Sequence, residues 1–216
     1  MLSLAEENYL KAIYHLASNG ESVLTNEIAE AMQTKAASVT DMLKKLSAKS
    51  LIHYQPYYGV TITARGKNQA LTVIRKHRLW ETFLVQKLGF SWDEVHEVAE
   101  QLEHIQSKRL IDKLDEYLGH PTVDPHGDPI PDEEGRIKTL PLVAIEVAKP
   151  GSKGTITSVK DSDPELLKYL QKIGATPGKK VIVVSREAYD GSVEILLDKK
   201  TIFISKEVSQ NILLSI

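Results

Sequence analysis

Thr25-Asn26-Glu27-Ile28-Ala29-Glu30-Ala31-Met32-Gln33-Thr34-Lys35-Ala36-Ala37-Ser38-Val39-Thr40-Asp41-Met42-Leu43-Lys44-Lys45-Leu46 is the stretch that decides the architecture of the first third of the chain. Thr25 is placed to cap a short helix through Met32, and Gln33-Thr34-Lys35 reads as a polar turn. Val39, Met42, Leu43 and Leu46 then recur at i, i+3, i+4 and i+7, the pattern of a second amphipathic helix. This is helix-turn-helix spacing. The outward face of the second helix carries Ala37, Thr40, Asp41, Lys44 and Lys45, and its start, Lys35-Ala36-Ala37-Ser38, is small enough to let backbone approach a duplex.

Outward from that stretch, Leu10, Ile13, Leu16 and Ala17 mark a preceding helix. Leu51-Ile52-His53-Tyr54 and Val60-Thr61-Ile62-Thr63 read as two strands joined through Gln55-Pro56-Tyr57-Tyr58-Gly59. A hairpin directly behind such a helix is a wing, and Tyr57, Tyr58, Arg65 and Lys67 are candidates for contacting phosphates, which position a module without reading bases. A three-helix packing unit that binds no nucleic acid stays open, because the basic surface is modest.

The second informative run is His96-Glu97-Val98-Ala99-Glu100-Gln101-Leu102-Glu103-His104. At about 100° per residue, His96, Glu100, Glu103 and His104 fall on one helix face and Val95, Val98, Leu102 and Ile105 on another. His77 and Glu81 repeat the i, i+4 spacing on an earlier amphipathic segment. Such a donor set, without sulfur, suits a divalent ion of the manganese or iron(II) type in an octahedral shell of oxygen and nitrogen. Charged stripes on helices are also common as solvated faces with surface pairs.

Charge distribution favours the metal reading. Residues 1–76 hold nine Lys or Arg against six Asp or Glu, residues 77–140 seven against fourteen, and residues 141–216 eleven against nine. Five of the seven histidines (His77, His96, His104, His120 and His126) sit in the acidic middle. The absence of cysteine excludes disulfides, thiolate zinc sites and cysteine nucleophiles. No apolar run approaches the roughly 20 residues of a membrane span, and the N-terminus lacks a basic leader region, so a cytoplasmic location is expected. Pro121, Pro125, Pro129, Pro131 and Pro141 with Asp132-Glu133-Glu134-Gly135 make an irregular linker. Beyond it lie short β-rich runs such as residues 180–184 and 193–197, of a length suited to a small barrel.

Taken in order, several segments resemble the diphtheria toxin repressor family of iron- and manganese-dependent transcriptional regulators. They are Glu7-Asn8-Tyr9-Leu10-Lys11-Ala12-Ile13-Tyr14, Ser38-Val39-Thr40, Gly59-Val60-Thr61-Ile62-Thr63 with Gly66, Arg75-Lys76-His77-Arg78-Leu79 with Glu81, Val95-His96 through Glu103-His104, and Pro125-His126-Gly127-Asp128-Pro129-Ile130-Pro131. The resemblance runs nearly end to end. It implies a mainly α protein with a small β portion: a winged helix-turn-helix DNA-binding domain at 1–75, a helical dimerisation and metal-binding domain at 76–140, and an SH3-like (FeoA-like) domain at 141–216. It further implies a homodimer that binds a palindromic double-stranded DNA operator when loaded with Mn(II) or Fe(II), with an interface from apolar faces between Leu79 and Leu118.

The resemblance also implies two ligand sets. One, gating DNA binding, uses Glu100, Glu103 and His104 with position 8 of the first helix, which is Asn8 here where the family has Met or Asp. Lys11 stands where short manganese-specific members carry an acidic ligand. The other uses His77, Glu81, His96 and a Cys-Pro-His motif that reads Asp124-Pro125-His126 in this chain, with one more donor from the last domain, Asp161 ahead of Asp163. Asp163 also suits the N-cap of a helix from Pro164 to Ile173. Glu100 replaces the cysteine of iron-responsive members, and carboxylate for thiolate favours manganese first and iron(II) second. Two other classes fit parts of the pattern: a metal-independent winged-helix regulator sensing an organic ligand, and a metallohydrolase, which would need an open coordination position and a spare base.

Overall fold

The computed structural model describes residues 2–17, 22–138, 140–160 and 163–216. They fall into two compact units. One comprises Met1–His77, Leu102–Ser107 and Pro131–Arg136, the other Arg78–Gln101, Lys108–Ile130 and Ile137–Ile216.

The first unit contains α1 (Leu4–Leu16), α2 (Thr25–Ala31), α3 (Ala36–Ala48), the hairpin β1 (Ile52–Gln55) and β2 (Gly59–Ile62), and the first half of α4 (Ala64–Leu88). α1 starts in a capping box: the Ser3 hydroxyl accepts from Glu6 N–H and the Glu6 carboxylate accepts from Ser3 N–H. α2 departs from the sequence expectation. Its N-cap is Leu24, with Thr25 already helical, because Glu27 reaches back to accept the Leu24 N–H at 2.6 Å.

Leu10, Ile13, Ile28, Val39, Leu43 and Leu46 are all fully buried, so the apolar faces of α1, α2 and α3 close on one core. β1 pairs with β2 antiparallel, from Ile52 opposite Ile62 to Gln55 opposite Gly59, and Val23 adds a bridge to Val60. Gly66, in the first turn of α4, is required by close packing: a Cβ there would lie 2.0 Å from the Leu51 carbonyl oxygen. The helix-turn-helix and wing expected from the sequence are therefore present.

The second unit contains the rest of α4, α5 (Val95–Leu102), α6 (Lys108–Tyr117), β3 (Val143–Ala144), β4 (Lys153–Val159), α7 (Pro164–Ile173), β5 (Lys180–Arg186), β6 (Val193–Leu197), β7 (Lys200–Ile204), α8 (Lys206–Asn211) and β8 (Ile212–Ser215). The strands form one antiparallel sheet in the order β3-β8-β4-β5-β6-β7, with bulges in β4 and β5 that sharpen its twist. This sheet is the SH3-like element expected after residue 141. Ile145, Ile156, Leu170, Val183, Val193, Ile195, Ile212 and Leu214 are fully buried in its core, and Trp92, from the loop before α5, is buried in the same cluster. Asp163 caps α7, accepting from the N–H groups of Glu165 and Leu166. Among the described residues no helix is long and apolar enough to cross a membrane.

Leu43→Ala tests the core under α3. Removing a fully buried leucine is expected to cost about 2–5 kcal/mol by lost transfer energy and the cavity left behind, read as a shift in the denaturation midpoint.

Candidate metal centre

Within the second unit, α4, α5 and the loop 122–130 converge on Glu81. Its side chain is 2% exposed. Oε1 lies 3.5 Å from His96 Nδ1, and Oε2 lies 3.6 Å from His126 Nδ1. One ligand atom each from Glu81, Asp124 and His126 lie within 4.8 Å of one another, and all three residues are buried.

The loop that carries Asp124 and His126 is held on both sides. Asp124 Oδ1 accepts from the N–H groups of His126 and Asp128, which winds the loop around its own carboxylate. Gly127 takes φ +86°, and a Cβ there would meet the Thr157 carbonyl oxygen at 1.7 Å, so only glycine lets the loop lie against β4. The contact is sealed by Val159 N–H donating to the His126 carbonyl at 3.0 Å.

His126 is held in one orientation. Nε2 is 2.7 Å from the Trp92 carbonyl oxygen, which accepts only, so Nε2 carries a proton and the Nδ1 side turns to Glu81 and Asp124. A backbone carbonyl that fixes the tautomer this way is the usual support of a metal-ligating histidine. Trp92 also stacks on the imidazole, with ring centroids 5.8 Å apart at 19°.

The electrostatics show what this cluster lacks. Burial pushes the Asp124 carboxyl up to about 7, with repulsion from Glu81 and Asp128 adding to it and Arg78 opposing. Arg78 Nε is 3.5 Å from Asp124 Oδ2, but one guanidinium is too little for this group of acids. Both imidazoles respond by taking protons. His126 rises to about 9, because Glu81 and Asp124 outweigh the burial that would lower it, and His96 rises to about 9 through Glu100 and Glu81. The acids thus draw both imidazoles toward their charged form. A divalent ion fits the site chemically, replacing those protons with charge and accepting oxygen and nitrogen donors.

In the first unit the remaining acidic candidates are already paired. Glu103, fully buried, accepts from Lys11 Nζ at 2.7 and 2.9 Å, and His77 Nδ1 lies 2.6 Å from its Oε2. Burial raises the Glu103 carboxyl, but His77 and Lys11 outweigh it and hold the group below the usual carboxylate value. His104 Nδ1 is 2.6 Å from Glu7 Oε2, and Gln106 donates to Glu7 Oε1 at 2.9 Å. Asn8 has a buried Oδ1 with no hydrogen-bond partner.

Three family models match in series: the iron dependent repressor N-terminal DNA binding domain over residues 1–60, the iron dependent repressor metal binding and dimerisation domain over 63–132, and the FeoA domain over 144–216. The iron-dependent repressor IdeR of Mycobacterium tuberculosis H37Rv is 30% identical over 195 residues, covering 82% of this chain and 82% of its own. This chain belongs to the diphtheria toxin repressor family of iron- and manganese-dependent transcriptional repressors. A solved manganese-dependent transcriptional repressor in complex with manganese superposes with a TM-score of 0.88 at 35% identity, over 97% of this chain and 98% of the other. ScaR with bound Cd2+ gives 0.81 at 31% identity, over 97% and 98%.

Against the ligands expected for a repressor of this family, the structure groups Glu81, Asp124 and His126, pairs His96 with Glu81, and puts His77 one turn before Glu81 on α4. Glu100 contacts His96 at 3.5 Å, while Asn8, Glu103 and His104 lie in the other unit. Asp161 lies outside the described residues. On the helix-turn-helix, Lys35, Ala36, Ala37, Ser38, Asp41 and Lys44 are exposed and Thr40 is half-buried; Tyr57 and Tyr58, at the wing tip, are 100% and 70% exposed. Arg65 instead donates to the Lys49 carbonyl at the end of α3. Glu7, Arg78 and Trp92 were not singled out as contributors by the sequence. Their roles arise from tertiary contacts, and no local spacing announces them.

The charge surplus predicts a pH effect. A carboxyl raised in the folded state binds more protons folded than unfolded, so ionising it costs stability as pH rises from about 4 through about 7. In chelator, Asp124→Asn is expected to melt above wild type at pH 8, with the gap closing toward pH 4. Thermal melts across that range check it.

Proposed function

We propose that this protein is a divalent-metal-activated repressor that binds a palindromic double-stranded DNA operator as a homodimer, and that Mn(II), ahead of Fe(II), is the activating ion. The observation that carries the reading is the buried pair Glu81 and Asp124 with His126 Nδ1 turned toward them. His77 and His96 complete the proposed ligand set. Asn8, Glu100, Glu103 and His104 form the second candidate set, and Asp161 remains the proposed donor from the last domain.

An ion bound there would supply the positive charge that the carboxylates lack. The donors are hard, and the chain has no cysteine, which favours manganese over softer ions by donor type. The solved relative in complex with manganese supports the same choice. The metal's differential affinity for the DNA-competent arrangement then shifts the population toward it, tenfold for each 1.4 kcal/mol or so.

Domains at 1–75, 76–140 and 141–216 divide the work among DNA binding, dimerisation with metal binding, and the FeoA-like fold. The proposed DNA surface is Lys35, Ala36, Ala37, Ser38, Thr40, Asp41 and Lys44 of the helix-turn-helix with Tyr57 and Tyr58 of the wing. The exposed Lys44–Asp41 pair, 3.6 Å apart, is worth little against a phosphate. Such a protein acts without catalysing a reaction, and works in the cytoplasm beside DNA.

The test uses operator DNA selected from a random pool by the manganese-loaded protein. Fluorescence anisotropy is expected to show binding with Mn(II) or Fe(II) and its loss with chelator, and Asp124→Asn is expected to need more metal. Equal binding by metal-free protein would contradict the reading and favour a metal-independent regulator.

A further inference from the structure

Glu103 has no exposure at all, and both its oxygens are engaged by Lys11 from α1. The carboxylates here are already compensated by side chains. Glu7 and Glu103 face the ammoniums of Lys11 and Lys76, with Lys76 Nζ 4.0 Å from Glu7, and His77 Nδ1 and His104 Nδ1 each lie 2.6 Å from Glu103 and Glu7 respectively. This contrasts with the surplus of acid around Glu81. Adding a divalent ion to a buried set already compensated would leave excess positive charge out of water, which is strongly unfavourable. An ion can take Glu103 only if an ammonium leaves.

Lys11 is the one able to leave. Its side chain is 15% exposed against 7% for Lys76, and its four-carbon stem can carry the ammonium to water without moving the helix. Three residues before it, on the same face of α1, Asn8 keeps a buried Oδ1 that receives no hydrogen bond. An unpaired buried oxygen costs free energy that a cation would recover. The arrangement therefore offers an oxygen that no donor satisfies beside a carboxylate already held by a tethered cation.

We propose that Lys11 is an internal competitor for the Glu103 carboxylate, occupying it in the metal-free protein and setting the ion concentration at which Glu103 is taken. The exchange is one divalent ion in and one ammonium out to solvent, with no bond made or broken in the chain. The inference rests on the metal dependence proposed above, and concerns a different carboxylate.

The test is a Mn2+ titration of the full-length protein, with free ion counted by electron paramagnetic resonance, for wild type, Lys11→Gln, Lys11→Arg and Asp124→Asn. Lys11→Gln is expected to bind an ion with affinity raised about 10- to 100-fold, or to gain one ion per protomer, because the competing buried pair is gone. Lys11→Arg keeps the charge and is expected to follow wild type. Circular dichroism confirms that each variant is folded. Superposed isotherms for wild type and Lys11→Gln, or tightening by Lys11→Arg as well, would overturn the proposal. Asp124→Asn separates the two readings: if it leaves the isotherm unchanged, the assignment of an ion to Asp124 fails, while the Lys11 comparison is still read on its own.

Discussion

Buried carboxylates must be compensated, and this chain compensates them in two different ways. Around Glu103 the compensation is covalently built in, through Lys11 and His77. Around Glu81 and Asp124 it is incomplete: one arginine and two imidazoles drawn toward their charged form are set against the acids, and the Asp124 carboxyl rises to about 7.

The FeoA-like unit gives this cluster its rigidity. His126 is fixed by the Trp92 carbonyl and stacked on an indole whose ring belongs to the core of the sheet domain. Gly127 presses the loop that carries Asp124 and His126 against β4, where a side chain has no room. Donors held by packing cost little to organise when the ion arrives. In this arrangement β4 holds the loop of Asp124 and His126 in place.

Much of the architecture was legible from periodicity. The i, i+3, i+4, i+7 pattern of Val39 to Leu46 marks α3, and the alternation around Tyr57-Tyr58-Gly59 marks the wing, because both signals are local. Asp163 before Pro164 announced the cap of α7 for the same reason. The cap of α2 was misplaced by one residue, since the helix start is fixed by the Glu27 carboxylate accepting the Leu24 N–H and not by a hydroxyl. For the candidate site, the i, i+4 spacing of His77 and Glu81 and the acidic, histidine-rich middle pointed to a metal, and the family resemblance put Asp124 and His126 in one set with Glu81, the three residues whose ligand atoms lie within 4.8 Å of one another. Helical periodicity put Glu100, Glu103 and His104 on one face. Tertiary packing gives Glu100 to His96, Glu103 to Lys11 and His77, and His104 to Glu7. Partners 92 and 97 residues away in sequence leave no trace in local spacing.

The most direct measurement is anomalous scattering from crystals of the full chain grown with Mn2+, collected at the manganese edge. A peak is expected within ligand distance of Glu81, Asp124 and His126. A loaded, folded protein with no peak there would contradict it.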